Sequence, residues 1–301
     1  MTSPITELHT IRDYLRYAAS RFAESPIFYG HGTDNVWDEA VHLVMRTLKL
    51  PLENNTLFLD ARLVHEERQQ ILERIDRRIN DRVPLAYLLG EAWFMGMPFN
   101  VDERVLVPRS PIGELLENGL QPWLGDRQVV RLLDLCTGSG CIGIGAATVF
   151  EEAEVDLSDI SSDALDVAQS NIEMHGVGDR VRTIQSDVFD SIDEIYDVIL
   201  SNPPYVDAED IADMPDEFRH EPELGLAAGN DGLDIAHRII DKAADHLAPG
   251  GLLIVEVGNS WVALDEAYPD LPFTWLDFER GGDGVFVLTA EDLRAWKAGK
   301  N

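Results

Sequence analysis

The sequence predicts an α/β protein: an open, mainly parallel sheet domain preceded by a small helical domain. Three observations carry that expectation. From Val129 onward, short apolar runs alternate with amphipathic stretches, as strands alternate with crossover helices. Several of those runs end in small, acidic or proline residues, as strands do at the ligand-binding edge of such a sheet. Before residue 83 the apolar residues recur at spacings of three and four, the period of a helix.

In the helical part, Leu8, Ile11, Leu15, Ala18, Ala19 and Phe22 mark a helix over 8–24, ended by Ser25–Pro26. Trp37, Ala40, Val41, Val44, Met45 and Leu48 mark a second over 34–49, with Asp34 or Asn35 as its cap. A third is expected over 63–82, with Leu63, Ile71, Leu72, Ile75 and Ile79 inward. Its outer face would hold Arg68, Arg74, Arg77, Arg78 and Arg82 among four acids, as a solvated face or a recognition surface. Pro84–Gly90 should begin a linker. The mixed aromatic and β-branched residues from Trp93 to Val107 then predict a hairpin with Asp102–Glu103 near its turn. In Pro108–Arg109–Ser110–Pro111, Arg109 has a fixed backbone and a long reach, suited to a surface salt bridge or a pocket wall. The expected division is 1–90 helical, 91–111 hairpin linker and 112–301 sheet domain.

The first strand of the sheet domain is expected at Val129–Leu135, followed by the turn Asp134–Gly140 and a helix of small residues. The second lies near Val155–Leu157 and closes at Asp159; a helix capped by Ser161 or Ser162 then runs to about His175. The third, Val181–Ile184, leads to Ser186–Asp187–Val188–Phe189. The fourth, Tyr196–Ser201, carries the continuous apolar run Val198–Leu200, as befits a strand covered on both faces, and Asn202–Pro203–Pro204–Tyr205 stops it abruptly. Residues 206–230 read as a long polar loop over a pocket mouth. A helix over 232–247, a strand at Leu252–Val257 and an edge hairpin of Phe273–Phe278 with Gly284–Thr289 complete the domain.

Composition narrows the function. The 301 residues suffice for one large and one small domain, and 45% hydrophobic residues exclude global disorder. No apolar run is long enough for a membrane helix, and no signal peptide is visible, so a cytoplasmic protein is expected. The formal charge is -31, from 55 acidic and 24 basic residues, of which only Lys49, Lys242, Lys297 and Lys300 are lysines. Such a surface repels a nucleic-acid backbone and attracts a basic partner, although a saline cytoplasm would also favour it. No direct nucleic-acid reading is expected. Cys136 and Cys141 fit neither CxxC nor a zinc pattern and read as buried free thiols; no bound metal is expected.

The strand ends suggest chemistry. Gly138 and Gly140 would let a ligand approach the backbone of the first turn. The third glycine position of a dinucleotide turn is missing, with Ile142–Gly143 there instead. Asp134 before the turn suits an ammonium-bearing ligand, or caps the turn's amides. Asp159 can accept both hydroxyls of a ribose, or cap the next helix. Asp187 can accept the amino group of an adenine, with Val188 or Phe189 against the ring, or cap its own loop. Three acids ending successive strands describe a pocket for a cationic, adenosine-containing ligand, and S-adenosylmethionine matches. Asn202 offers an uncharged acceptor, and the carbonyl of Pro203 a second. Together they can hold both hydrogens of a planar NH₂ group and aim its nitrogen at an electrophilic methyl, with Tyr205 stacked on or beside it.

At these residues a resemblance becomes specific. The turn from Asp134 to Gly140, with Asn202–Pro203–Pro204–Tyr205, resembles the class I S-adenosylmethionine-dependent methyltransferases that modify amino groups. The chain from residue 8 to about 292 is similar to the protein N5-glutamine methyltransferases. Its matching stretches are Phe94–Phe99, Arg104–Ile112, His220–Leu224, Glu256–Ser260 and Gly281–Phe286. The resemblance implies a Rossmann-like sheet of order 3-2-1-4-5-7-6 and a helical domain for substrate recognition. It implies a cofactor site of Asp134, Thr137, Gly138, Gly140, Asp159, Asp187, Val188 and Asn202. Asn202, Pro203, Pro204 and Tyr205 would hold the substrate amide, with Phe94, Phe99 and Arg109 around it. Ser110–Pro111–Ile112 replaces the proline and two acids usual in the branch that modifies release factors. The resemblance therefore implies ribosomal protein L3 as substrate. A release-factor enzyme, an adenine-N6 methyltransferase and a non-enzymatic ribosome-assembly factor are the alternatives.

Overall fold

The computed structural model describes residues 4–53, 55–207, 214–226, 228–229 and 232–300. The chain forms two compact units. One holds the residues up to Ala92 together with Met214–His220; the other holds the remainder. Among the described residues no helix is long and apolar enough to cross a membrane.

The first unit is helical. Thr10 starts the helix Ile11–Ala23 by accepting the Asp13 amide, while the Asp13 carboxylate accepts the Thr10 amide at 2.9 Å. Asn35 rather than Asp34 caps Val36–Thr47, accepting the Trp37 and Asp38 amides at 3.1 and 2.9 Å. These helices bury Tyr14, Phe22, Leu43 and Met45 against Ile71. The third helix, His65–Asp76, departs from expectation at its end: Arg77–Asp81 widens to π geometry. The wider turn rotates the residues that follow relative to an α-helix. Arg78, expected on the solvated face, is inside, 2% exposed, because it follows buried Ile71 and Ile75 by seven and three residues on one helical face. A second correction concerns Pro84–Gly90. Leu85–Leu89 is a short helix, closed by Gly90 at φ 70, with Leu85, Ala86 and Leu88 buried.

The chain next forms a two-stranded sheet of β1 (Glu91–Phe94) and β2 (Met97–Asn100). Its turn is Met95–Gly96, not Asp102–Glu103. Both turn residues have positive φ, 49 and 71, as a tight two-residue hairpin requires. A methionine gives no signal for that conformation. Phe94 and Met95 then pack where Gly113 and Gly145 have no side chain: a Cβ would lie 2.9 Å from Phe94 and 2.8 Å from Met95 respectively.

The second unit is built on seven strands: β3 (Arg131–Leu135), β4 (Glu154–Asp159), β5 (Val181–Gln185), β6 (Tyr196–Ser201), β7 (Leu247–Glu256), β8 (Thr274–Trp275) and β9 (Val285–Thr289). Their order across the sheet is β5-β4-β3-β6-β7-β9-β8, which is 3-2-1-4-5-7-6 when this sheet's strands alone are counted. The first five run parallel and β9 is antiparallel to β7 and β8. Leu132, Leu133, Leu135, Val198, Ile199 and Leu200 have no exposed surface, as apolar strands under helices on both faces should. β7 starts five residues earlier than expected. The helix before it ends at His246, and the strand accommodates Pro249–Gly250–Gly251 through a register shift opposite Tyr196 and Val198. Asn171, fully buried on the helix Ser162–His175, pins β2 to the first turn. It exchanges bonds with the Asn100 backbone and donates to the Ser139 carbonyl.

Candidate functional site

The topology gathers the expected residues on four adjacent strands. β5, β4, β3 and β6 lie side by side and parallel, so their carboxyl ends share one edge. Asp187, Asp159, the turn after Leu135 and Asn202 follow those ends in that order.

The turn is held from below by Asp134. Its Oδ2 accepts the Thr137 hydroxyl at 2.5 Å and the Gly143 amide at 2.9 Å. The residue is wholly buried and its Oδ1 has no hydrogen-bond partner, so burial pushes the carboxyl up to about 7. Thr137 is buried beside it. Asp134 therefore takes the capping role and does not reach a ligand surface, which corrects the expected direct contact. Gly143 fills the place of the missing third glycine: a Cβ there would lie 2.1 Å from Leu157, so only glycine lets helix and strand approach this closely. Gly140, at φ 82, opens the helix Cys141–Val149. Gly138 has φ 55, and a Cβ there would meet nothing within 4 Å, so the turn's outer side is accessible.

Asp159 accepts the Gly138 amide at 3.0 Å and the Ser161 amide at 2.9 Å. Each carboxylate oxygen has a second lone pair, so this capping leaves acceptor capacity. Burial raises its pKa, against the three backbone amides that lower it. Asp187 is half-exposed and pairs with Arg238 at 2.8 Å. Val188 is buried at φ 53, a strained conformation for a β-branched residue, and its carbonyl accepts the Ser186 hydroxyl at 2.9 Å. Phe189 is stacked on His246, with centroids 4.5 Å apart, and is packed on the helix side. The groups at this edge are thus carboxylate and carbonyl acceptors beside an open glycine turn. That chemistry suits a ligand bearing positive charge and hydroxyl or amino donors. Both cysteines are free; Cys141 is buried and its thiol is raised to about 12 by burial, whereas Cys136 is only partly covered.

Asn202 and Tyr205 are partly exposed and Pro203 is buried. The platform is clamped at Tyr205. Its hydroxyl donates to Glu256 Oε1 at 3.0 Å, and Glu256 Oε2 accepts the Ser110 hydroxyl at 2.6 Å. The Tyr205 carbonyl accepts the Ser260 hydroxyl at 3.0 Å. Its ring lies against Gly258, where a Cβ would be 2.5 Å from the ring edge. Burial, then the Glu256 carboxylate, raise the phenol's pKa, so it remains a donor. Burial likewise raises Glu256, against the bonds from Ser110 and Tyr205.

Arg109 forms a bidentate pair with Glu221, at 2.5 and 2.7 Å, and Glu221 also accepts the Val107 amide at 3.1 Å. The Glu221 side chain is fully buried while Arg109 is 29% exposed, so this is a fixed arm rather than a loose surface bridge. Phe94 and Phe99 are corrected. At 6% and 0% exposure they belong to the hydrophobic core, Phe99 against His175, and form no pocket wall.

Glu221, Glu256, Gly258 and Ser260 escaped the residue-by-residue reading. Buried acids and an added glycine look ordinary in sequence. The only signal was that His220–Leu224 and Glu256–Ser260 belong to the stretches carrying the family resemblance. Part of the expected pocket loop, 208–213, 227 and 230, lies outside the described residues. Its described parts include the turn Asp216–His220 and the short helix Glu223–Leu226.

A family model for the methyltransferase small domain matches residues 116–219. The chain is 50% identical over 295 residues to the ribosomal protein uL3 glutamine methyltransferase of Francisella tularensis subsp. tularensis, covering 97% of this chain and 94% of that one. It is 51% identical over 289 residues to the protein of the same name from Neisseria gonorrhoeae, covering 95% and 96%. Among solved structures, the hMettl16 catalytic domain in complex with MAT2A 3'UTR hairpin 6 superposes with a TM-score of 0.53 over 74% of this chain and 80% of that one. At 17% identity it establishes the fold alone.

Proposed function

The chain belongs to the ribosomal protein uL3 glutamine methyltransferases, and from that membership and the site we propose that it methylates the side-chain amide nitrogen, N5, of a glutamine in ribosomal protein L3, using S-adenosylmethionine. The carrying observation is the placement of Asn202–Pro203–Pro204–Tyr205 at the end of β6, next to the open glycine turn of β3 and the acids of β4 and β5. A holder for a planar amide thus borders a cradle for a cationic, ribose-bearing ligand.

Bound S-adenosylmethionine supplies an electrophilic methyl group on a sulfonium centre. Gly138 would admit it to the backbone, Asp159 would offer its remaining lone pairs to the ribose hydroxyls, and Asp187 and Val188 would serve the adenine. Asp134 and Thr137 act through the turn they hold. Asn202 Oδ1 and the Pro203 carbonyl accept the two amide hydrogens of the substrate glutamine. This orients the nitrogen and stabilises the positive charge that grows on it as its delocalised lone pair is drawn out. The Tyr205 ring walls the planar group. Transfer would exchange the methyl carbon–sulfur bond for a carbon–nitrogen bond, leave a neutral thioether, and release the extra proton of the nitrogen to solvent, so no strong general base would be required. Arg109, fixed by Glu221, borders the same platform through the Pro108–Pro111 segment. An enzyme with a ribosomal protein as substrate works in the cytoplasm, and its acidic surface suits a basic partner.

Transfer of labelled methyl to ribosomal protein L3, a release factor and RNA, followed by mass mapping, tests the proposal. Label on one glutamine of L3 is expected. Label confined to the release factor or to RNA overturns it.

A further inference from the structure

One group of buried side chains takes no part in the chemistry above. Arg78, Glu39 and Glu217 are 2%, 2% and 0% exposed, all within the helical unit. Arg78 Nε donates to Glu39 Oε1 at 2.6 Å, Nη1 to Glu217 Oε1 at 2.9 Å and Nη2 to the Phe28 carbonyl at 2.7 Å. Glu217 Oε1 also accepts the Phe28 amide at 2.8 Å, and Oε2 accepts Arg82 Nη2 at 3.1 Å. Glu39 Oε2 accepts the Thr33 hydroxyl. Two arginines face two glutamates, so the formal charges balance. Burial works against ionisation of Glu217, but the bonds from Arg78 and the Phe28 amide outweigh it and its pKa is lowered.

Stability alone does not call for such a group, because apolar residues of similar size often replace a buried ion cluster without loss. A guanidinium offers instead one fixed fork that fits a single register of its acceptors. Arg78 follows buried Ile71 and Ile75 at helical spacing, which brings that fork inward. What it grips is informative. Glu217 lies in Met214–His220, the segment of the loop after Tyr205 that belongs to the helical unit. Four residues later, Glu221 holds Arg109.

We propose that Arg78, Glu39 and Glu217 form a clamp that fixes the register of the segment Met214–His220 on the helical unit for the protein substrate. These are positioning residues, and the role rests on the methyltransferase reading above. In Arg78→Met/Glu217→Leu and in Glu217→Gln, KM for ribosomal protein L3 should rise about tenfold or more, while the Kd for S-adenosylmethionine and kcat at saturation stay close to wild type. Amide exchange should quicken across Met214–Leu226 and stay unchanged in the central sheet. Arg78→Lys keeps the charge but loses the fork, and should behave like the loss variants. Should the double variant not fold, Glu217→Gln decides alone. Wild-type KM with unaltered exchange at 214–226, full rescue by Arg78→Lys, or a parallel loss of cofactor affinity overturns the clamp. Failure of wild-type protein to methylate L3 would defeat the activity instead, and the exchange measurement would still judge the clamp.

Discussion

Gly258→Ala perturbs the position of Tyr205 without altering the chemistry of the platform. A Cβ at Gly258 would lie 2.5, 2.9 and 3.0 Å from Cε2, Cδ2 and Cζ of the ring. Carbon atoms in contact settle at roughly 3.5–4.0 Å, so the ring must retreat by about 1 Å. Gly258 also has φ 47, a left-handed conformation that costs alanine about 1–2 kcal/mol. That cost leaves the protein folded. A displacement of about 1 Å in a group that orients the reactants costs on the order of 100-fold in rate, or about 2.7 kcal/mol in the barrier. Single-turnover transfer to ribosomal protein L3 should therefore slow by about 100-fold. Calorimetric affinity for S-adenosylmethionine should change by less than about threefold. Gly176→Ala is the control. Gly176 has φ 66, but a Cβ there meets nothing within 4 Å, so it carries the backbone cost without touching the ring. Wild-type turnover in Gly258→Ala, or equal slowing in both variants, would refute the reasoning.

Three further outcomes follow from the same geometry. The Asp134 carboxyl titrates at about 7 in the fold and near 3.9 when unfolded. The native state therefore holds the extra proton between those values, and stability falls as pH rises from about 4 to about 7, by up to about 4 kcal/mol. Asp134→Asn removes this dependence, so the variant's stability relative to wild type should climb across that interval in paired denaturation curves; a constant difference contradicts it. Tyr205→Phe deprives the buried Glu256 of a donor and should cost about 1–3 kcal/mol in denaturant unfolding, with a smaller loss of turnover than Gly258→Ala, because Ser260 and Gly258 still seat the ring. If the charge of -31 steers a basic substrate, kcat/KM should drop steeply between about 0.05 and about 0.5 M salt while kcat holds; a flat kcat/KM rules steering out.

Much of the sheet was legible in the sequence. The run Leu132–Leu135, apolar but for Asp134, and the continuous run Val198–Leu200, each followed within three residues by glycine or proline, leave little choice of element. The strand order itself came through the family resemblance rather than from the residues. Less visible were a buried charge and a backbone irregularity. Arg78 falls on the face of Ile71 and Ile75 by helical period, but an arginine among charged neighbours reads as solvated, and nothing local says that Glu39 and Glu217 will meet it. The hairpin turn at Met95–Gly96 was hidden because methionine seldom adopts positive φ. The position of Asn202–Tyr205 at the end of a buried strand was readable because two prolines after an apolar run stop a strand. Its supports were not. Glu256 is an acid at the end of an apolar strand, and nothing local says that Ser110, 146 residues away, will meet it. Phe94 and Phe99 show the converse error, since aromatic residues beside a site motif belong to the core as readily as to the pocket.

The most direct test of the account is single-turnover methyl transfer by Asn202→Ala, read beside its affinity for S-adenosylmethionine. If Asn202 and the Pro203 carbonyl grip the glutamine amide, the rate should fall by about 100- to 1,000-fold with cofactor affinity kept. A rate equal to wild type, or a loss traced wholly to cofactor binding, would contradict the amide-holding role.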